Sequence, residues 1–313
     1  MTPAEHADLW ARDPRATAFQ HPAWLDAWWT YLGGGVRADL DARDEAGRLI
    51  GALPAFIWLD GGRRKLVPVG AGHNDYLDAL IDPDQGEQAV AGLWRAAQGF
   101  QWDEIFLPDL RPDSPLLGSV PDGWTAADQA CEVCPVLTIP PDRDVLGALP
   151  KSRRRKIVHD RHRADRLGGV TATLATPEEL PAALDALFAL HAARWQAAGE
   201  PGVLADPKVQ AFHRAVAPAL MGAGLLRVSL VRHHHRIVSV LYGFADRSRW
   251  SSYVIGIDHG VPGQSFGTLA FAALIDAAVA AGAAEFHFLR GEEEYKYRWG
   301  AEPMRTVRRV ITR

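Results

Sequence analysis

Residues 290–299 gather the side chains best suited to chemistry: Arg290, Glu292, Glu293, Glu294, Tyr295, Lys296, Arg298 and Trp299. A glutamate whose pKa is raised by burial or a neighbouring carboxylate accepts a proton, a tyrosine returns one, and lysine and arginine hold an anion. Such a set can deprotonate an amine, steady the group it attacks and reprotonate what leaves. Glu292, Glu293, Tyr295 and Lys296 are therefore the catalytic candidates here, with Lys296 and Arg298 as contacts for an anionic substrate. The apolar run EFHFL (285–289) comes just before, and open α/β sheets place ligands outside the carboxyl ends of their strands. The alternative is a solvated edge, the usual place for consecutive glutamates. On either reading Lys296 is expected to be an exposed loop lysine that contributes little to folding.

Periodicity places these residues at the end of a layout that occurs twice. A helical stretch at 22–32 precedes extended runs 36–43, 48–59 and 65–69, a helix at 86–97 and a strand at 104–107. Helical stretches at 177–198 and 208–221 precede extended runs 225–232, 236–244 and 249–257, a helix at 266–281 and a strand at 285–289. The segment DARDEAGRLIGALPAF (41–56) aligns with SLVRHHHRIVSVLYGF (229–244), and WDEIFLPDL (102–110) with AEFHFLRGE (284–292). The expectation is a mixed-sheet α/β fold: a duplicated α-β-β-β-α-β unit, with domains at 1–140 and 141–313. A basic helix at 150–168 lies at the junction, and the two units face one cleft.

Four segments resemble the CelD/BcsL-type acetyltransferases, GNAT-fold enzymes related to the FemABX peptidyltransferases. They are FQHPAWLDAWW (19–29), GAGHNDYLDALID (70–82), 149–168, and 254–300 with its SFGTL turn and GEEEYKYRWG loop. The resemblance implies two GNAT-like units and an acyl donor, acetyl-CoA or another acyl-CoA, in a splayed cleft of the second. It also implies direct attack by an amine in a ternary complex, with backbone N–H groups of Tyr253, Val254 and Ile255 polarising the thioester oxygen. The turn DHGVPGQSFGT then becomes the pyrophosphate cradle, through Gly263, Gln264, Ser265, Gly267 and Thr268. It departs from the family pattern, with Pro262 in the first place and Ser265 where a glycine is usual. A helix start of this kind binds phosphate through its free N–H groups and dipole, or is simply capped by Ser265 or Thr268.

By the same resemblance Lys296 lies near substrate phosphates, and Asp75 and Tyr76 stand where relatives contact substrate. Asp75 is also read as a catalytic group that orients or deprotonates the amine, sharing one acceptor pocket with Lys296. The alternative for Asp75 is a turn cap in an Asn-Asp pair. Arg153, Arg155, His191, Arg194 and Trp195 match family positions and complete the substrate-binding set. Spacing places His191 and Trp195 on one helix face.

Net charge is −4, but 151–167 carries eight Lys or Arg against two Asp. That basic helix is a solvated bridge, or a rim that attracts a small-molecule or nucleotide-linked acceptor or, as second choice, RNA. RNA would fit a FemABX-type, aminoacyl-tRNA-dependent transferase. A third reading is a non-catalytic ligand-binding protein on a decayed acyltransferase fold. Cys131 and Cys134 have zinc spacing without a second pair of ligands, so no metal is expected. His233–His235 reads as a hairpin tip. Neither a signal peptide nor a membrane span is visible, which points to the cytoplasm.

Overall fold

A computed structural model describes residues 1–261 and 265–313. The chain forms two compact units, Met1–Val133 with Arg305–Arg313, and Cys134–Met304. The C-terminal residues Arg305–Arg313 belong to the first unit. Both units are mixed α/β.

The first unit contains α1 (Pro3–Arg12), α2 (Pro22–Leu32), β1 (Val36–Arg37), β2 (Leu40–Arg43), β3 (Leu49–Leu53), β4 (Ala55–Asp60), β5 (Arg63–Pro68), β6 (Leu80–Ile81), α3 (Gly86–Ala97), β7 (Glu104–Leu110) and the start of β8 (Thr125–Thr138). The run expected at 48–59 is two strands. Pro54 has no N–H for a ladder, and the chain changes sheets there. β3 pairs with β2 and β6, whereas β4 pairs with β1 and β5. Helix α3 lies close on β2, since a Cβ at Gly92 would come 2.6 Å from that of Ala42. Strands β5 and β7 run parallel but pair only at Lys65–Glu104 and Leu66–Ile105.

Beyond that pairing the segment after β5 fills the gap. Leu77 donates its N–H to the Asp109 carbonyl at 3.0 Å. Asn74, 1% exposed, accepts from Trp24 Nε1 at 2.7 Å and donates to the Phe19 carbonyl at 3.3 Å. The tight turn needs Gly70, at φ +102°, because a Cβ there would overlap the Asn74 amide.

The second unit continues with α4 (Val145–Ala148), α5 (Lys151–Leu167), β9 (Val170–Leu174), α6 (Leu180–Ala197), α7 (Pro207–Gly222), β10 (Leu226–His233), β11 (Arg236–Asp246), β12 (Arg249–Ile257), α8 (Phe266–Ala280), β13 (Glu285–His287) and α9 (Glu294–Tyr297); β14 (Glu302–Thr312) follows. Its strand order is β8–β13–β12–β11–β10–β9, with β12 and β13 parallel and the other neighbours in this order antiparallel. Strands β10 and β11 are covered on both faces and read as nearly continuous apolar runs. The tip between them is His234-His235, as the sequence predicts, with His234 at φ 54°.

Helix α8 buries Phe266, Phe271, Leu274 and Ile275, among others, each burial contributing about 1.5–3 kcal/mol. It reaches the sheet over Gly243, where a Cβ would meet Leu274 Cδ2 at 2.7 Å. Helix α5 lies on α8 through Ile157, Asp160 and Ala164, and Arg161 pairs with Asp276 at 2.9 Å. Among the described residues no helix is long and apolar enough to cross a membrane.

Candidate active site

In the second unit β12 and β13 pair from Arg249–Glu285 to Ser251–His287 and then part, while β12 runs on to Ile257. An extra residue enters β12 where the strands separate: Gly243 of β11 faces Ser252 and Tyr242 faces Val254, leaving Tyr253 as a bulge. A cavity of about 500 Å³ lies beside this free end. Ile255, Ile257, Phe271, Tyr295 and Trp299 form its apolar walls, and the start of α8 contributes Ser265, Gly267 and Thr268. Helix α5 supplies Ser152, Arg153, Lys156, Ile157 and Asp160, at positions that share one helix face.

Four cations line the cavity. Lys156 Nζ is 4.0 Å from Asp160, and Arg298 is 3.3 Å from Glu294. Arg153 and Arg194 also line it and have no carboxylate partner among the described residues. The balance favours an anionic ligand. Burial pushes the Tyr295 phenol up, the Glu293 carboxylate adds to this, and Arg194 partly offsets it. The phenol is therefore a neutral proton donor at physiological pH.

Of the expected site residues, Arg153, Arg194, Ile255, Ser265, Gly267, Thr268, Tyr295 and Arg298 meet at this cavity, whereas Arg155 points to solvent outside it. Gly267 packs against the strand: a Cβ there would come 2.7 Å from Ile257 Cδ1. The Tyr253 ring meets His213, Tyr242 and Phe244, and Val254 pairs with Tyr242, so neither side chain joins the cavity wall. Gly263 and Gln264 lie outside the described residues.

Glu292 and Glu293 are exposed and do not line the cavity; Glu294 does. Lys296 corrects the expectation of an exposed lysine. It is 2% exposed, and its Nζ meets four oxygens between 2.5 and 3.2 Å: the carbonyls of Leu289, Arg290 and Gly291 and the Glu293 carboxylate. Its three protons serve the loop. The loop needs such a clamp because Leu289 and Gly291 both have positive φ, 54° and 112°.

His191 and Trp195 are one helical turn apart on α6, and Trp195 Nε1 donates to His191 Nε2 at 2.9 Å. Burial, with the Arg194 charge as a second cause, lowers the His191 pKa from 6.5 to about 4. The ring is neutral, and neither residue lines the cavity. In the first unit Tyr76 is 3% exposed, against Phe19 and Arg111, which gives it a core position instead of a substrate-facing one. Asp75 is half-buried and already engaged. Sequence reasoning missed Lys156, Ile157 and Asp160. The helical spacing of the α5 residues was a usable signal, hidden by the run of charge around it.

The model of the GNAT acetyltransferase domain matches residues 151–297, which contain all the cavity walls except Trp299 and Arg298. None of the curated proteins compared matches the chain. Among solved structures the fold is similar to that of FemX, with a TM-score of 0.69 at 11% identity over 99% of this chain and 96% of that one. A conserved protein of unknown function from Bacteroides thetaiotaomicron gives 0.64 at 13%, over 100% and 98%. L-PGS from Bacillus licheniformis gives 0.57 at 10%, over 92% and 90%. At these identities the likeness is one of fold. The second unit thus has a GNAT-type acyltransferase fold, with its cavity where the parallel strands part.

Proposed function

We propose that the protein is an N-acyltransferase that moves an acyl group from the thioester of coenzyme A to an amine. The observation that carries this reading is the cavity at the parting of β12 and β13, with a neutral tyrosine in its wall and two guanidinium groups free of carboxylates. The acyl chain and its carrier arm fit against Ile255, Ile257 and Phe271, and the carrier's phosphates against the cations. The amine nitrogen attacks the thioester carbonyl carbon, and a backbone N–H near the Tyr253 bulge steadies the oxyanion. The C–S bond breaks as the amide forms. Tyr295 gives its proton to the departing thiolate, and the proton lost by the attacking amine restores the phenol through Glu294 or water. No covalent enzyme intermediate is required. Lys296 holds the catalytic loop in shape.

Thiol release from acetyl-CoA and from longer acyl-CoAs in the presence of amines tests the proposal. Tyr295→Phe should lower kcat by about 10²-fold with KM little changed. Equal turnover in this variant removes Tyr295 from the chemistry, and no thiol release with any donor removes the acyl-CoA reading. A second reading keeps the transfer and makes the donor an aminoacyl-tRNA. It is favoured by Lys151, Arg154 and Arg155, which stand exposed on α5 outside the cavity. RNA binding that weakens steeply with salt would select it.

A further inference from the structure

The start of α8 is already occupied by a charge. A helix start ordinarily offers N–H groups and a positive dipole end to a phosphate. Here Asp160, 5% exposed, projects from α5 into the same cavity, and its Oδ2 accepts from Thr268 Oγ1 in the first turn of α8 at 3.3 Å. Lys156, mostly exposed, is 4.0 Å from the other carboxylate oxygen and compensates it weakly. A phosphate brought to this turn would meet a buried like charge where solvent screens little. The cations without carboxylate partners, Arg153 and Arg194, also line the cavity.

We infer that Asp160 determines the cavity's specificity. It keeps phosphate off the start of α8 and confines the ligand's anionic group to Arg153 and Arg194. The Asp160–Thr268 pair remains to accept a hydrogen bond from a hydroxyl, amide or ammonium on the same ligand. The inference rests on the reading of this cavity as the donor site, and it is tested without acyl transfer.

Calorimetric titration of the full chain with inorganic pyrophosphate, at fixed ionic strength, is the test. Asp160→Asn preserves the size of the side chain and a hydrogen-bond acceptor for Thr268, and should tighten pyrophosphate binding about tenfold. Arg153→Gln with Arg194→Gln should weaken it by a similar factor. Thr268→Val keeps the carboxylate and should give no gain; a gain equal to that of Asp160→Asn would make the effect structural and overturn the inference. Unchanged or weaker binding in Asp160→Asn overturns it, as does absence of binding in both proteins. If Asp160→Asn fails to show a folded thermal transition, Asp160→Ser takes its place with the same expectation. If these shifts hold while no acyl-CoA turns over, the donor reading fails and the role of Asp160 stands.

Discussion

The two units part their parallel strands in the same manner and finish the gap differently. In the first, β5 and β7 separate after Leu66–Ile105, and residues 70–79 fold into the opening with Asn74, Tyr76 and Leu77 as a plug. A void of about 10 Å³ is left near them. In the second, β12 and β13 separate after Ser251–His287 and about 500 Å³ remains open. A strand layout therefore supplies an opening, and whether it becomes a site depends on what the following segment does. A turn built on Gly70 directs the first chain inward, whereas α5 and α9 line the rim of the second with charge.

The largest expected effect falls on the plug. Asn74→Ala removes the hydrogen bonds to the Trp24 indole N–H and the Phe19 carbonyl, and should lower stability by about 2–4 kcal/mol in urea unfolding. A loss below about 1 kcal/mol would show that the first gap is closed by something else.

Acid should separate the units next. Burial lowers His6 and His191 from 6.5 to about 4, so between these values the unfolded chain holds more protons. The stabilisation is complete above pH 6.5 and is lost as pH falls toward about 4. In the first unit burial raises Asp78 from 3.8 to about 6, with Ser114 partly opposing. Its contribution has the opposite sign: present in full below 3.8 and lost as pH rises through about 6. In the first unit the raised carboxyls of Asp78 and Asp26 thus oppose the lowered imidazoles of His6 and His21 over this range. Hydrogen exchange followed from pH 6.5 to 4 should show the second unit loosening first, and His191→Gln should abolish the difference. Loosening of both units together would break the contrast.

The smallest effect is expected from Gly267→Ala. The added methyl displaces only the end of Ile257, so stability should change by less than about 1 kcal/mol. Ile257 is a cavity wall, and KM for the donor should rise about two- to fivefold in steady-state assays. An unchanged KM would mean that the donor does not reach this wall.

The layered α/β order and the charged loop were legible because Gly, Pro and apolar period punctuate the chain where strands end. The break at Pro54 was equally written in the residues, though the run around it is apolar on both sides. Burial of Lys296 and Tyr76 was not legible. Each sits among polar neighbours, and only the close return of the chain, at Leu289–Gly291 and at Phe19–Trp24, removes it from water. Asp160 was lost for a related reason: on a helix of mean hydropathy typical of a solvated face, the inward carboxylate shows only once α8 lies against it.

The Lys296 clamp also bears on the protein's reactivity toward its own substrates. On the proposed acyl-transfer reading an amine beside a bound thioester would be a hazard, because a free lysine there would be acylated in place of the acceptor. Lys296 lies one residue from Tyr295, yet its nitrogen is enclosed by four oxygens and has no lone pair to offer while protonated. The fold has made the loop's own amine chemically silent, so that a nucleophile arriving from solution meets no competitor from this residue.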